Sequence, residues 1–195
     1  MNRLNLLAKL QTYVLFTPAD IERILGKTRG YAYLYLQRLK QTSLIYEIEK
    51  GRYTVYADSF LIASRIVWPS YISGWAALQF YHLTEQLPNV IEVVTTRSRK
   101  TRKIKFMNIK IVFSRLRIPH FFGYEKIQYK KFPIFIAEKE KALLDAFLLR
   151  HISPSEFMEI LKNNKKRVSI KKIKSYSKKI SKMFYSKIKK MVNDL

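Results

Sequence analysis

The sequence predicts an α+β fold in three successive parts. Residues 1–58 form a three-helix unit closed by a hairpin, 59–150 a mixed α/β layer, and 151–195 a basic helical extension. Three observations carry this. Between residues 17 and 56, helix start and stop signals bracket apolar residues at helical spacing, then give way to β-branched and aromatic runs around Lys50-Gly51. Between residues 90 and 137 the chain is rich in Val, Ile, Phe and Tyr, the residues that favour strands. From Lys162 to Lys190 there is no acidic residue, while Ile and Phe recur at spacings of three and four.

Leu4, Leu6, Leu7 and Leu10 predict a first helix ending near Tyr13. Thr17-Pro18 starts the second: Thr can cap free N–H groups, and Pro fits the first helical position, where no donor is needed. Asp20 and Glu22 lie in its first turn, where the helix dipole favours negative charge. Ile21, Ile24 and Leu25 bury one face, and Gly26 ends the helix in the left-handed conformation that costs glycine least. A third helix spans 28–41, with Ala32, Tyr35, Leu36 and Leu39 inward and Arg29, Tyr33, Gln37 and Lys40 outward. Residues 45–49 and 52–56 pair across Lys50-Gly51 as a hairpin. That order is a winged helix-turn-helix.

Such a unit can offer the polar stripe of its third helix to a DNA groove. Arg and Gln bond base edges, whereas Lys and Tyr bond phosphate. The N-terminal part of the helix leads. The candidate DNA-binding residues are therefore Lys27, Thr28, Arg29, Tyr33, Gln37 and Lys40, with Lys50 and Arg52 gripping phosphate from the hairpin tip. Glu47 and Glu49 would repel DNA if they faced it. A polar stripe is also what any solvated helix presents, and such units dock proteins too. A protein- or RNA-interaction module using this unit as a scaffold is the alternative.

Residues 59–67 continue as a connecting helix that Trp68-Pro69 ends, since proline disfavours the helical conformation in the residue before it. Ser73 caps a helix through His82 that is apolar nearly all round and so belongs in the interior. Strands follow at 90–96, at 104–113 with a break near Asn108, at 121–129 and at 132–137. The loop 97–103 carries five Arg or Lys. A helix at 138–150 turns Ala142, Leu143, Ala146 and Phe147 inward, and Ser153-Pro154 opens another that ends near Asn163-Asn164. One last helix at 169–192 sets Ile173, Tyr176, Ile180, Phe184, Ile188 and Met191 against a face of lysines.

The chain's formal net charge is +24, unevenly spread. Basic residues outnumber acidic ones 9 to 5 in residues 1–60, 15 to 6 in 61–149 and 14 to 3 in 150–195. A polyanion is the natural partner of such a chain. There is no run of about 18 uncharged apolar residues and no signal-peptide pattern at the N-terminus, so a cytoplasmic protein without a membrane partner is expected. With no Cys, a disulfide framework and thiolate metal sites are excluded. His82, His120 and His151 are isolated, phosphate-cradling glycine motifs are absent, and no Gly-x-Ser-x-Gly or Asp-x-Asp occurs. No catalytic residue, metal or cofactor is expected. An Mg²⁺-dependent nuclease would need Glu92 to converge with Glu138 or Glu140.

Several pieces resemble one family. After the N-terminal unit come Pro69-x-Tyr71-Ile72-Ser73 with Ala76-Ala77-Leu78, a β-rich middle, and Ile136-Ala137-x-x-Glu140-Lys141-Ala142-Leu143-Leu144-Asp145. Together these resemble the AbiEi-type antitoxins and transcriptional regulators of type IV toxin–antitoxin systems. Glu138-Lys139 stand where that family commonly has Ser or Thr followed by Pro. The resemblance implies a DNA-binding N-terminal domain that represses its own operon at an inverted repeat. It also implies a C-terminal domain that counteracts a nucleotidyltransferase-type toxin, with direct contact not required. Tyr71, Ser73, Glu140, Lys141 and Asp145 carry over as signature positions. Lys141 and Asp145, four apart on a helix, are expected to form an exposed pair worth ~0.3–0.5 kcal/mol.

Overall fold

The computed structural model describes residues 2–86 and 89–193. Helix α1 (Arg3–Leu10) is capped by Asn2, whose side chain accepts the Asn5 N–H. Helix α2 (Pro18–Leu25) begins with a reciprocal cap between Thr17 and Asp20 and ends at Gly26, whose φ is 62°. Helix α3 (Arg29–Gln41) follows, and β1 (Tyr46–Glu49) pairs antiparallel with β2 (Arg52–Thr54). Leu6, Leu10, Ile21, Ala32, Leu36, Leu39 and Ile45 make a core private to these elements. Phe16 bridges to Tyr53, so the chain between α1 and α2 is stitched to the hairpin.

The next part runs α4 (Ser59–Ala63), β3 (Ser70–Ser73), α5 (Gly74–Phe80), β4 (Val90–Thr95), β5 (Lys103–Phe106) and β6 (Ile109–Arg115). A 3-10 turn at Ile118–His120 leads to β7 (Tyr124–Tyr129), β8 (Phe132–Ala137) and α6 (Lys139–Leu148). Helices α7 (Pro154–Asn163), α8 (Ile170–Ile180) and α9 (Lys182–Val192) complete it. The six strands lie in the order β5-β6-β4-β3-β8-β7. The central pair β3 and β4 is antiparallel, each is parallel to its outer neighbour, and the two edges are antiparallel hairpins.

Three expectations need correction. The 59–67 helix stops at Ala63, where the Ser64 hydroxyl donates to the Leu61 carbonyl. Residues 70–73, to which the sequence assigns no element, are a strand; a run of four bounded by serines has no alternation to read. Ser73 does not cap α5 with its side chain, because its hydroxyl donates to Asp145. The 169–192 helix is two helices, broken where Ser181 adopts an extended backbone and its hydroxyl oxygen accepts the Phe184 N–H to start α9. The break near Asn108 is the β5–β6 turn, with Met107 at φ 52°.

Ile72, Val93, Ile111 and Ile136 from the sheet share one core with Leu78, Leu143, Phe157, Ile173, Phe184 and Ile188 from the helices. Residues 151–193 are therefore packed into the same core as the sheet, and the lysines ride on the outside. The N-terminal unit meets this body through Tyr46 edge-on to Phe106, through Arg99 and Glu49 at 2.8 Å, and through Asp58, which caps α4 and pairs with Lys130.

Candidate nucleic-acid interface

Helix α3 is held by Ala32, Leu36 and Leu39, all buried, with Tyr35 half-buried beside them. The spacing that buries these residues turns Arg29, Tyr33 and Gln37 outward. All three are exposed, Tyr33 at 46%. The Arg29 guanidinium lies 6.0 Å from the Tyr33 ring centre, so the pair forms one flat cationic ledge. Lys27 and Thr28 stand exposed just before α3, where free backbone N–H groups and the helix dipole favour an anion. Thr28 is also the cap, its hydroxyl oxygen accepting the Tyr31 N–H at 3.4 Å.

The remaining candidates sit differently. Lys40 is ion-paired to Glu47 on β1, an arrangement that raises the lysine above its ordinary range and holds the carboxyl below its own. Arg52 donates to Glu49 at 3.1 Å and to the Ile66 carbonyl at 2.5 Å, so its fork points into the molecule instead of out from the hairpin tip. Lys50 is exposed at that tip and makes no ion pair among the described residues. The repulsion expected from Glu47 and Glu49 is largely offset by Lys40 and by Arg52 with Arg99. A cleft of about 260 Å³ between α3 and the hairpin is lined by Tyr33, Leu34, Gln37, Lys40, Glu47 and Tyr53. Leu34 is 57% exposed beside the polar stripe, and no sequence signal marks it, because an apolar residue off that stripe carries no polar pattern.

The signature residues gather elsewhere, inside the second body. Tyr71 and Ser73 of β3 donate to Asp145 Oδ2 at 3.0 and 2.9 Å. Lys141 pairs with Asp145 and donates to the Tyr71 hydroxyl at 3.0 Å. Its ammonium also lies over the rings of Tyr71 and Phe122. All four residues are buried, Lys141 and Asp145 completely, so the expectation of an exposed pair is overturned. Burial pushes the Lys141 ammonium down and the Asp145 carboxyl up, and their mutual attraction works against both shifts. Glu140 is not part of this cluster. It accepts the Ser169 N–H at 2.9 Å at the start of α8 and lies 3.5 Å from Lys172.

The carboxylates considered for metal chemistry do not share a site. Glu92 on β4 faces the Ala76 N–H and His151, whereas Glu138 and Glu140 both engage Lys172. Among the described residues no group of three His, Asp or Glu is placed to hold a metal ion, and no helix is long and apolar enough to cross a membrane. No protein-family model matches the chain, and no curated protein matches it either.

Proposed function

We propose that the chain is a DNA-binding transcriptional regulator of the AbiEi antitoxin type, acting in the cytoplasm. In this reading the N-terminal unit is a winged helix-turn-helix that lays α3 in the major groove of an operator inverted repeat. The observation that carries it is the outward ledge of α3: Arg29, Tyr33 and Gln37 are exposed and face no carboxylate among the described residues. The offset hairpin acids and the +24 charge support it, because the surface around the ledge then attracts a duplex instead of opposing it. Lys40 and Arg52 brace the hairpin in this account, and phosphate contact falls to Lys27, Thr28 and Lys50.

By the same resemblance, the second body would counteract a nucleotidyltransferase-type toxin. A mobility-shift titration tests the DNA reading with duplex from upstream of the chain's own gene against random duplex. Binding to the upstream inverted repeat that survives excess random competitor is the expected outcome. Equal affinity for both overturns it. Co-expression with a toxic nucleotidyltransferase, taken from beside the gene should one be encoded there, tests the antitoxin half separately: restored growth is expected, and unrelieved toxicity overturns that half.

A second reading has one observation in its favour. Tyr31 and Leu34 are 43% and 57% exposed on α3, an apolar pair that a protein partner would cover. Loss of partner capture by Leu34→Asp with DNA binding intact would favour that reading.

A further inference from the structure

A second concentration of cations lies in the loop 97–103, which carries five Arg or Lys and reaches the hairpin where Arg99 meets Glu49. Strands β4 and β6 are parallel neighbours that end side by side, Thr95 beside Arg115. The chain leaves the sheet there, which brings the 97–103 loop and Arg115 to one end of these strands. A cleft of about 330 Å³ occupies that position, lined by Arg97, Arg99, Arg102 and Arg115 with Thr95 and Ser98 among others. Among the described residues, no carboxylate lines it.

The four guanidiniums are held in two ways. Arg99 is fixed: it donates to Glu49 at 2.8 Å and to the Thr101 carbonyl at 3.3 Å, and lies 4.4 Å from the Phe113 ring centre. Arg97, Arg102 and Arg115 are exposed and make no ion pair among the described residues. Four positive charges with one offset by Glu49 leave an excess of three at one concave spot. Like charges so gathered repel one another unless an anion joins them.

We propose that this cleft binds a di- or triphosphate group, as a nucleoside polyphosphate carries. Arginine forks bond phosphoryl oxygens two at a time. A duplex brings one charge per phosphate, spread along its length, whereas a polyphosphate brings several to one point and so matches the local excess. The volume lies at the small end of ligand sites, about 300–1,000 Å³, enough for a polyphosphate with its sugar and base toward the rim. The proposal is independent of α3, which contributes nothing to the cleft.

Isothermal titration of the full chain with ATP and with inorganic pyrophosphate, at about 150 mM salt to screen diffuse attraction, tests it. Both ligands bind and adenosine does not. Arg97→Ala and Arg115→Ala each weaken binding about tenfold, the size of one lost charged hydrogen bond. Lys189→Ala with Lys190→Ala, exposed on α9, changes nothing. Arg97→Lys with Arg115→Lys keeps the charge but loses the forks, and still weakens binding, with thermal unfolding unchanged. Absence of ATP and pyrophosphate binding overturns the proposal. So does an equal loss in the α9 variant, which would mean diffuse charge. So does a loss confined to duplex DNA, which would make the arginines backbone contacts of a nucleic acid.

Discussion

Arg29 and Lys141 show how far one residue's surroundings decide its meaning. Both are cations on helices that the sequence predicts. Arg29 is exposed beside Tyr33, so its charge is available to a partner. Arg29→Glu is expected to abolish preference for operator DNA without changing stability, whereas Lys40→Ala chiefly loosens the hairpin, because Lys40 is tied to Glu47. Lys141 is wholly buried with Asp145. Removing it leaves an uncompensated carboxylate inside, so Lys141→Ala is expected to cost ~3–5 kcal/mol in a denaturant titration. Lys141→Met combined with Asp145→Leu should recover only part of that, since it removes the unpaired charge but leaves the buried Tyr71 and Ser73 hydroxyls without their acceptor. A loss under ~1 kcal/mol for Lys141→Ala would mean that water reaches the cluster.

The elements join through carboxylates held below their ordinary range. Burial pushes Asp58 up, but the Lys130 ammonium, the Leu61 N–H and the Tyr129 hydroxyl outweigh it. Glu138 behaves likewise through Lys172 and Tyr176, and the Tyr176 hydroxyl is pushed up to about 12. Their stabilisation is complete above the unfolded carboxylate value of about 4 and is lost as pH falls through the lower folded values. Urea unfolding at successive pH values should therefore show stability falling below about pH 4, and Asp58→Asn should flatten part of that fall. Turn chemistry gives a second test. Gly26 and Gly74 both have positive φ, but a Cβ at Gly26 meets nothing within 4 Å, while one at Gly74 would lie 2.8 Å from the Glu92 carboxyl carbon. Gly74→Ala should destabilise more than Gly26→Ala, which is limited to about 1 kcal/mol of backbone strain. Local signals made α2, α3 and α7 legible, because Thr17-Pro18, Gly26 and Ser153-Pro154 act within their own helices. Strand β3 was not legible, since Ser70 and Ser73 serve partners such as Val67 and Asp145 that the local pattern does not announce. The stop at Ser181 was equally hidden, because the apolar stripe runs on from Ile180 to Phe184 across it.

At the scale of the molecule, the charge gradient read from the sequence becomes a body whose helices α7 to α9 are packed by their apolar faces, with α8 and α9 basic outside. Deleting residues 151–195 would strip Phe157, Ile173, Phe184 and Ile188 from the shared core, so the basic surface is better probed by exchanging exposed lysines. The α3 candidates are legible as a stripe, but which cations remain free is not: Arg99 is drawn to Glu49 and Arg52 to the Ile66 carbonyl by contacts between separate parts of the chain. If roughly 6–10 phosphates are neutralised, affinity for any duplex should fall ~10³–10⁵-fold between about 50 and 200 mM salt, as a fluorescence-anisotropy titration would record. The same assay gives the most direct test of α3 as the reading helix. Binding to the upstream inverted repeat and to random duplex is measured for Arg29→Glu with Tyr33→Ala, and for a set of exposed α8 and α9 lysine-to-glutamine variants. The α3 variant is expected to lose the preference between the two duplexes, while the lysine variants weaken both equally and keep it. An α3 variant that still prefers the inverted repeat would contradict the assignment of that helix.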